Sequence, residues 1–356
     1  MQSQVLGLAR VMSRQGHDVV LLAPGEVRFD ESDPVRFEPP DESFEIVSCG
    51  PATPVEANGS IAPIAIGLIS CRTTITLLLE REFDILHLHE PLVPGPCMTS
   101  LLIAKVPIIG TFHLSGVSAS YRYLRPIVTR MARRLTKRCA VSPLASQTAA
   151  EWLGGEYEVL FNGIDLNLYG FGEEPIDDST VKILFVGRHE ERKGLHDLLR
   201  AFVQASDQSE RTLHLDVIGT GPETEYLKAK FQKESNIDWL GEVDDGQVRN
   251  SMGECDILCA PSRSGESFGI VLVEAMASRT AIIASQIDGY VYVADGVARF
   301  FPPGDIGELS RILLEVANNF KLCESMVRAG SERATHFELE VLAEEYLRIY
   351  QSSLGL

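Results

Sequence analysis

No stretch of this chain stays apolar for the ~18 residues that a membrane-crossing helix needs. The nearest approach, Ile61 to Ile69, is broken by Pro63 and Gly67. No basic-then-apolar leader opens the sequence. Positive charge is scarce: 32 Lys and Arg stand against 50 Asp and Glu, a net charge of −18. That balance argues against wholesale binding to nucleic acid or to an anionic lipid surface, although a local basic patch remains open. The 7 cysteines are odd in number and none sit in CxxC spacing. Cys255 and Cys259 lie four apart with no histidine near them, so reduced thiols, a cytoplasmic setting and no metal site are expected.

What is present is a long alternation. Short β-branched runs take turns with helix-length amphipathic segments, the pattern of parallel sheets with crossover helices. In the first half strands are predicted at 19–23, 44–49, 85–89, 108–112, 138–141 and 158–161. In the second half they fall at 182–187, 214–219, 237–240, 257–259, 281–284 and 298–301. Between the two series, residues 169–180 are polar, acidic and Gly/Pro-bearing, which predicts a linker. At 356 residues two domains are the default. The expected division is an N-terminal Rossmann-like domain, 1–168, completed by a C-terminal helix over 337–356, and a second Rossmann-like domain, 169–336. Both are α/β and doubly wound, and they are expected to face a common cleft.

The most informative stretch runs Gly265-Glu266-Ser267-Phe268-Gly269-Ile270-Val271-Leu272-Val273-Glu274-Ala275. A glycine-flanked turn opens into an apolar helix, with a carboxylate at its mouth and another two turns in. Backbone N–H groups at a helix start favour an anion such as phosphate. A carboxylate beside that anion cannot bind it, since like charges repel, so it must hold neutral hydroxyls. A sugar nucleotide carries phosphate and hydroxyls side by side. Upstream, the strand ending in Gly187-Arg188 is followed by Lys193-Gly194, placing two cations where a diphosphate would lie. Gly219-Thr220-Gly221 permits close backbone approach after the next strand. Gly241-Glu242-Val243-Asp244-Asp245 could flank a base, although its acids suit the start of the following helix better.

These segments resemble the retaining glycosyltransferases of family 4, which have the two-Rossmann-domain glycosyltransferase B fold. Val186-Gly187-Arg188, Arg192-Lys193-Gly194-Leu195 and the pair Glu266 and Glu274 carry the likeness. Within that family the chain is most similar to actinobacterial phosphatidylinositol mannosyltransferases, through His87-Leu88-His89-Glu90-Pro91, Thr111-Phe112-His113 and Asn58-Gly59-Ser60. The resemblance implies a hexose, mannose from GDP-mannose, moved to an acceptor hydroxyl, with phosphatidylinositol or a related lipid as acceptor. It implies no cofactor beyond the nucleotide-sugar substrate and no metal. Arg188 and Lys193 would hold the diphosphate, Glu266 the sugar hydroxyls and Glu274 the ribose. Gly187, Gly219, Gly221, Val243, Ser267, Phe268, Gly269 and Ile270 would line the donor. His113 would face the reacting side of the sugar, with Gln2, Asn58, Gly59 and Ser60 beside the acceptor. His87 and His89 are expected to be structural.

The resemblance also implies a first strand and glycine-rich loop ahead of the helix Gln2 to Arg14. That element is expected upstream of Met1. The helix Gly67 to Glu82, with only Arg72 and Arg81 as cations, looks weak as a membrane grip. A basic stripe at Arg130, Arg133, Arg134, Lys137 and Arg138 falls at helical spacing and offers another, peripheral at the inner face of the plasma membrane. Alternative readings are a UDP-sugar enzyme with a soluble acceptor, a non-catalytic nucleotide-sugar binder, and an epimerase of the same fold.

Overall fold

The computed structural model describes residues 2–25, 44–57, 60–113, 125–169 and 179–356, with backbone alone at residues 2, 54–57 and 60–63. The chain divides into two compact units, Met1–Gly163 with Leu339–Leu356, and Ile164–Glu338. Residues 170–178, inside the expected linker, lie outside the described residues.

The first unit opens with the helix Gln2–Arg14, which leads to strand β1 (Val20–Ala23). β1 pairs in parallel with β2 (Glu45–Ser48). β3 (Thr53–Ala57) and β4 (Ser60–Ile64) form an antiparallel hairpin in which Ala57 opposes Ser60. Between the two strands stand Asn58 and Gly59. Both lie outside the described residues. After the helix Leu68–Glu80 come β5 (Leu86–His89), β6 (Ile108–Phe112), β7 (Lys137–Ala140) and β8 (Glu158–Val159), a four-stranded parallel sheet in sequence order. Among the described residues β1–β2 and β5–β8 are separate sheets. The C-terminal helix Leu339–Leu354 belongs to this unit. It buries Leu339, Leu342, Ala343, Tyr346 and Ile349 against Leu8, Val11 and Met12 of the first helix and against Ile109 of β6. That spacing, three and four residues apart, places them on one face of the helix.

One expectation fails here. The basic stripe is not a single helix: the helix Arg125–Ala132 holds Arg130 but ends before Arg133 and Arg134, and Lys137 and Arg138 belong to β7. Arg138 turns its guanidinium onto the carbonyls of Gly154 and Ala132, and Arg134 onto that of Ala104. Loose carbonyls at helix ends attract such donors, so part of the positive charge serves capping. The helix Leu68–Glu80, expected to be a poor membrane grip, carries unusually exposed apolar side chains: Leu68 is 89% exposed, Leu79 74% and Ile69 67%.

The second unit is a six-stranded parallel sheet. Its strands are β9 (Thr180–Val186), β10 (Thr212–Ile218), β11 (Ile237–Gly241), β12 (Ile257–Ala260), β13 (Ala281–Ser285) and β14 (Arg299–Phe301). Their order, β11-β10-β9-β12-β13-β14, is doubly wound, so the topology reverses between β9 and β12. One face is covered by the helices Leu195–Ser206 and Ile306–Ala317. These bury Leu195, Leu198, Leu199 and Phe202, and Leu309, Ile312, Leu313 and Val316, onto Ile183, Phe185, Leu215 and Val217. At ~1.5–3 kcal/mol for each fully buried large apolar side chain, this layer dominates the favourable side of the unit's folding. Each unit is thus α/β with parallel strands and crossover helices, the class expected from the sequence.

Candidate active site

Ligands of doubly wound sheets bind outside the carboxyl ends of the strands at the switch point. In the second unit that point is flanked by the loops after β9 and β12, and the charged residues singled out in the sequence sit on those two loops. β9 ends in Gly187-Arg188, followed by a single 3-10 turn, Glu191–Lys193. β12 leads through Pro261 to Gly269 into the helix Ile270–Ala277.

The loops touch because of one glycine. Gly194 has a left-handed φ of 70°, and a Cβ there would lie 2.0 Å from the carbonyl oxygen of Pro261. That closeness brings Lys193 Nζ to 2.5 Å from Glu266 Oε1, and Arg192 Nη1 to 3.4 Å from the same oxygen. Arg192 Nε also reaches Glu190 Oε2 at 2.9 Å, and Arg188 Nε reaches Glu190 Oε1 at 2.8 Å. Three cations thus surround two carboxylates, leaving a surplus positive charge at the strand ends. Ser262 Oγ lies 3.5 Å from Glu266 Oε1 and 2.9 Å from the Tyr290 hydroxyl. The β12 loop is anchored from behind by Arg263, whose Nε and Nη2 each lie 2.7 Å from the Asp197 carboxylate on the helix Leu195–Ser206. Asp197 is buried and Arg263 partly exposed.

The other expected donor residues fall around this pair. Gly219 and Gly221, after β10, pack against the backbone of Gly187 and His189. Gly269 is left-handed, with φ 86°, and opens the helix Ile270–Ala277. Phe268 is buried against Phe337 and Tyr292, so its ring belongs to the core and only its backbone can face a ligand. Ser267 and Ile270 flank it on the same turn. Val243 follows β11, and Asp244 caps the helix Asp245–Glu254 through a reciprocal bond pair with Gln247, the capping role expected of those acids. Glu274 is the outlier. Burial, helped by the like charge of Asp245, pushes its carboxyl up to about 7, and Tyr169 donates its hydroxyl to Glu274 Oε1 at 3.4 Å.

His113 lies in the first unit, directly after β6. Its backbone N–H donates to Glu90 Oε1 at 2.6 Å, and its Nε2 lies 2.9 Å from Nδ1 of His89. Burial holds the pKa of both histidines far below the usual imidazole range. Gln2 starts the first helix and Ser60 starts β4; Asn58 and Gly59 lie outside the described residues. Away from the switch point, on β10 and β11, His214 Nε2 lies 3.1 Å from Asp238 and 3.3 Å from Asp216.

Sequence reasoning passed over Glu190, Arg192, Ser262, Tyr290 and the Asp197–Arg263 pair. Arg192 stood inside a quoted motif and could have been found. Ser262, four residues before Glu266 on the same loop, had no motif to mark it, and Tyr290 meets Ser262 only once β12 and β13 are neighbours.

Two family models match the chain: glycosyl transferases group 1 over residues 171–333, and glycosyltransferase family 4 over residues 1–168. A phosphatidyl-myo-inositol mannosyltransferase of Mycolicibacterium smegmatis is 34% identical over 362 residues, covering 99% of this chain and 90% of that protein. Its namesake from Mycobacterium tuberculosis is also 34% identical, covering 99% and 93%. Among solved structures, a glycosyltransferase from Rickettsia africae superposes with a TM-score of 0.74 at 18% identity, covering 99% of this chain and 94% of that one. Anabaena HepE in complex with UDP and glucose superposes with a TM-score of 0.71 at 18% identity, covering 98% and 95%.

Proposed function

Because the chain belongs to the glycosyltransferases of group 1 and family 4, we propose that it moves mannose from GDP-mannose to an inositol-lipid hydroxyl. The observation that carries this reading is the cluster Arg188, Arg192, Lys193 and Glu266 at the switch point. Relatives that are 34% identical across nearly the whole chain bear the name phosphatidyl-myo-inositol mannosyltransferase, which supports both the donor sugar and the acceptor class.

In this reading the diphosphate displaces Glu266 from Lys193 and takes the lysine and Arg188 as its partners. Fixed cations there stabilise the charge that grows on the departing phosphate without reorganisation. Glu266, released from its ion pair, accepts hydrogen bonds from sugar hydroxyls. Glu274 exchanges its Tyr169 partner for the ribose hydroxyls. The bond from the sugar C1 to the diphosphate oxygen breaks, the bond from C1 to the acceptor oxygen forms on the same face, and the acceptor proton passes to the leaving phosphate. With Glu266 engaged by sugar hydroxyls and Glu274 by the ribose, the two-carboxylate scheme of retaining glycosidases is not assigned to them.

A lipid acceptor requires access to a membrane surface. No helix among the described residues is long and apolar enough to cross a membrane. The first unit instead exposes Leu68, Ile69 and Leu79 on one helix, Leu102 on the next and Ile127 on a third, with Arg125, Arg130 and Arg133 exposed beside Ile127. Apolar side chains among arginines suit the boundary of an anionic leaflet. Calorimetric titration with non-hydrolysed GDP-mannose and UDP-glucose tests the donor: the reading requires tighter binding of the guanine nucleotide, and preference for the uracil one overturns it.

A further inference from the structure

We propose that His89 is a positioning residue for His113, fixing its ring angle and tautomer through the bond between His89 Nδ1 and His113 Nε2. The proposal rests on the reading of His113 as a site residue; the sequence alone left His89 as structural. His89 closes β5 opposite Thr111 of β6, and His113 follows β6 by one residue, so the parallel register brings the rings together at the strand ends. Their nitrogens are 2.9 Å apart.

Two neutral imidazoles joined nitrogen to nitrogen hold a single proton between them. One ring must donate and the other accept, so the tautomer of each dictates that of its partner. Neutrality is secured here by burial, which opposes a charge on His87, His89 and His113 alike. The protonation state of His113 Nδ1 is therefore coupled to His89: it cannot change unless the shared proton moves to the other ring.

The surrounding contacts keep His89 from turning away. Its ring lies 4.3 Å from that of His87, centroid to centroid. Both nitrogens of His87 are engaged: Nδ1 with the Tyr350 hydroxyl at 2.7 Å and Nε2 with Thr111 Oγ1 at 2.8 Å. Thr111 Oγ1 in turn lies 3.0 Å from the Tyr346 hydroxyl. On the other side, Glu90 holds the His113 backbone N–H. Glu90 is itself buried with a left-handed φ of 55°, its own N–H donating to the Thr111 carbonyl at 2.8 Å. A purely space-filling histidine would need neither the nitrogen-to-nitrogen bond nor a fixed neighbour.

The test uses the full chain with imidazole-15N-labelled histidine, comparing wild type with His89→Asn, His89→Gln, His89→Leu and His113→Ala. In wild type, His113 should show one neutral tautomer with Nε2 hydrogen-bonded. The amide of His89→Asn takes the place of Nδ1 and should keep that bond and most turnover. His89→Gln, whose amide reaches the wrong position, and His89→Leu should give mixed tautomers. Both should lower kcat about tenfold or more, with donor KM little changed, as misplacement of a reacting-side group does. Unaltered His113 tautomers and kcat in both Gln and Leu variants, or an Asn variant as poor as they are, would overturn the proposal. If His89→Leu does not fold, the Asn and Gln pair still decides. Full activity in His113→Ala removes the reading of His113 as a site residue while leaving the tautomer result to stand or fall alone.

Discussion

Lys193 Nζ and Glu266 Oε1 stand 2.5 Å apart, although 73 positions separate the two residues in the chain. The topology explains the meeting. β9 and β12 are neighbours only because the sheet reverses between them, and each residue follows the end of its own strand. Without a ligand the pair neutralises itself; a diphosphate competes for the lysine and frees the glutamate.

That competition gives the first prediction. Glu266→Ala should lower turnover about 30- to 1,000-fold, the ~2–4 kcal/mol of hydrogen bonds made at the transition state. Nucleoside diphosphate affinity should hold or rise, because Lys193 no longer has a competing partner. Arg188→Ala and Lys193→Ala should weaken that affinity instead. Steady-state kinetics and calorimetry on the three variants check the contrast; equal effects on both quantities would count against the assignment.

Glu274 gives a pH dependence. Its carboxyl rises from an ordinary 4.5 to about 7 through burial. Between those values the folded chain binds the proton and the unfolded chain does not, so this group's contribution to stability falls as pH rises through the window. Glu274→Gln should remove that slope, gaining on wild type by up to on the order of 3 kcal/mol from pH 4.5 to 8. Donor binding should run the opposite way, since an ionised carboxylate accepts both ribose hydroxyls. Affinity for an intact nucleotide-sugar should weaken below pH 7 in wild type and stay flat in the variant. Urea titrations and donor titrations across pH measure the two.

Arg263→Ala should destabilise the second unit without removing any proposed donor contact. Breaking one side of a buried pair costs ~3–5 kcal/mol, and the partial exposure of Arg263 places it at the lower end, about 3 kcal/mol. Denaturant unfolding of the variant reads this directly, and a loss under ~1 kcal/mol would mean the Asp197 carboxylate is well solvated.

Exposed apolar and basic side chains of the first unit predict salt-sensitive binding to anionic vesicles. Leu68→Ser with Leu79→Ser should weaken binding at every ionic strength. Arg130→Gln with Arg133→Gln should chiefly reduce its salt dependence. Sedimentation with phosphatidylinositol vesicles separates these effects; binding that ignores all four changes would point to another surface.

Most of the scaffold was legible because parallel strands buried on both faces are continuous apolar runs, as in Ala281–Ser285. The β3–β4 hairpin was not read. Pro54 and Pro63, directly opposed across it, make both runs look unlike strands. Lys137 and Arg138 fit a helical spacing equally well as text, but the β-strand pairing with Ile109 and Gly110 wins. The candidate cluster was legible where chemistry is local, at Arg188, Lys193 and Glu266. Partners contributed by other strands, Tyr290 and the Asp197–Arg263 clamp, depend on tertiary neighbours that no local pattern reports. The His89–His113 bond is of that kind too.

The most direct measurement is transfer of labelled mannose from GDP-mannose into phosphatidylinositol by the purified chain, set beside Glu266→Ala. Label moving into the organic-soluble lipid with wild type, and falling about 30-fold or more in the variant, is the predicted result. No label in the lipid, or equal transfer by both proteins, would contradict the account.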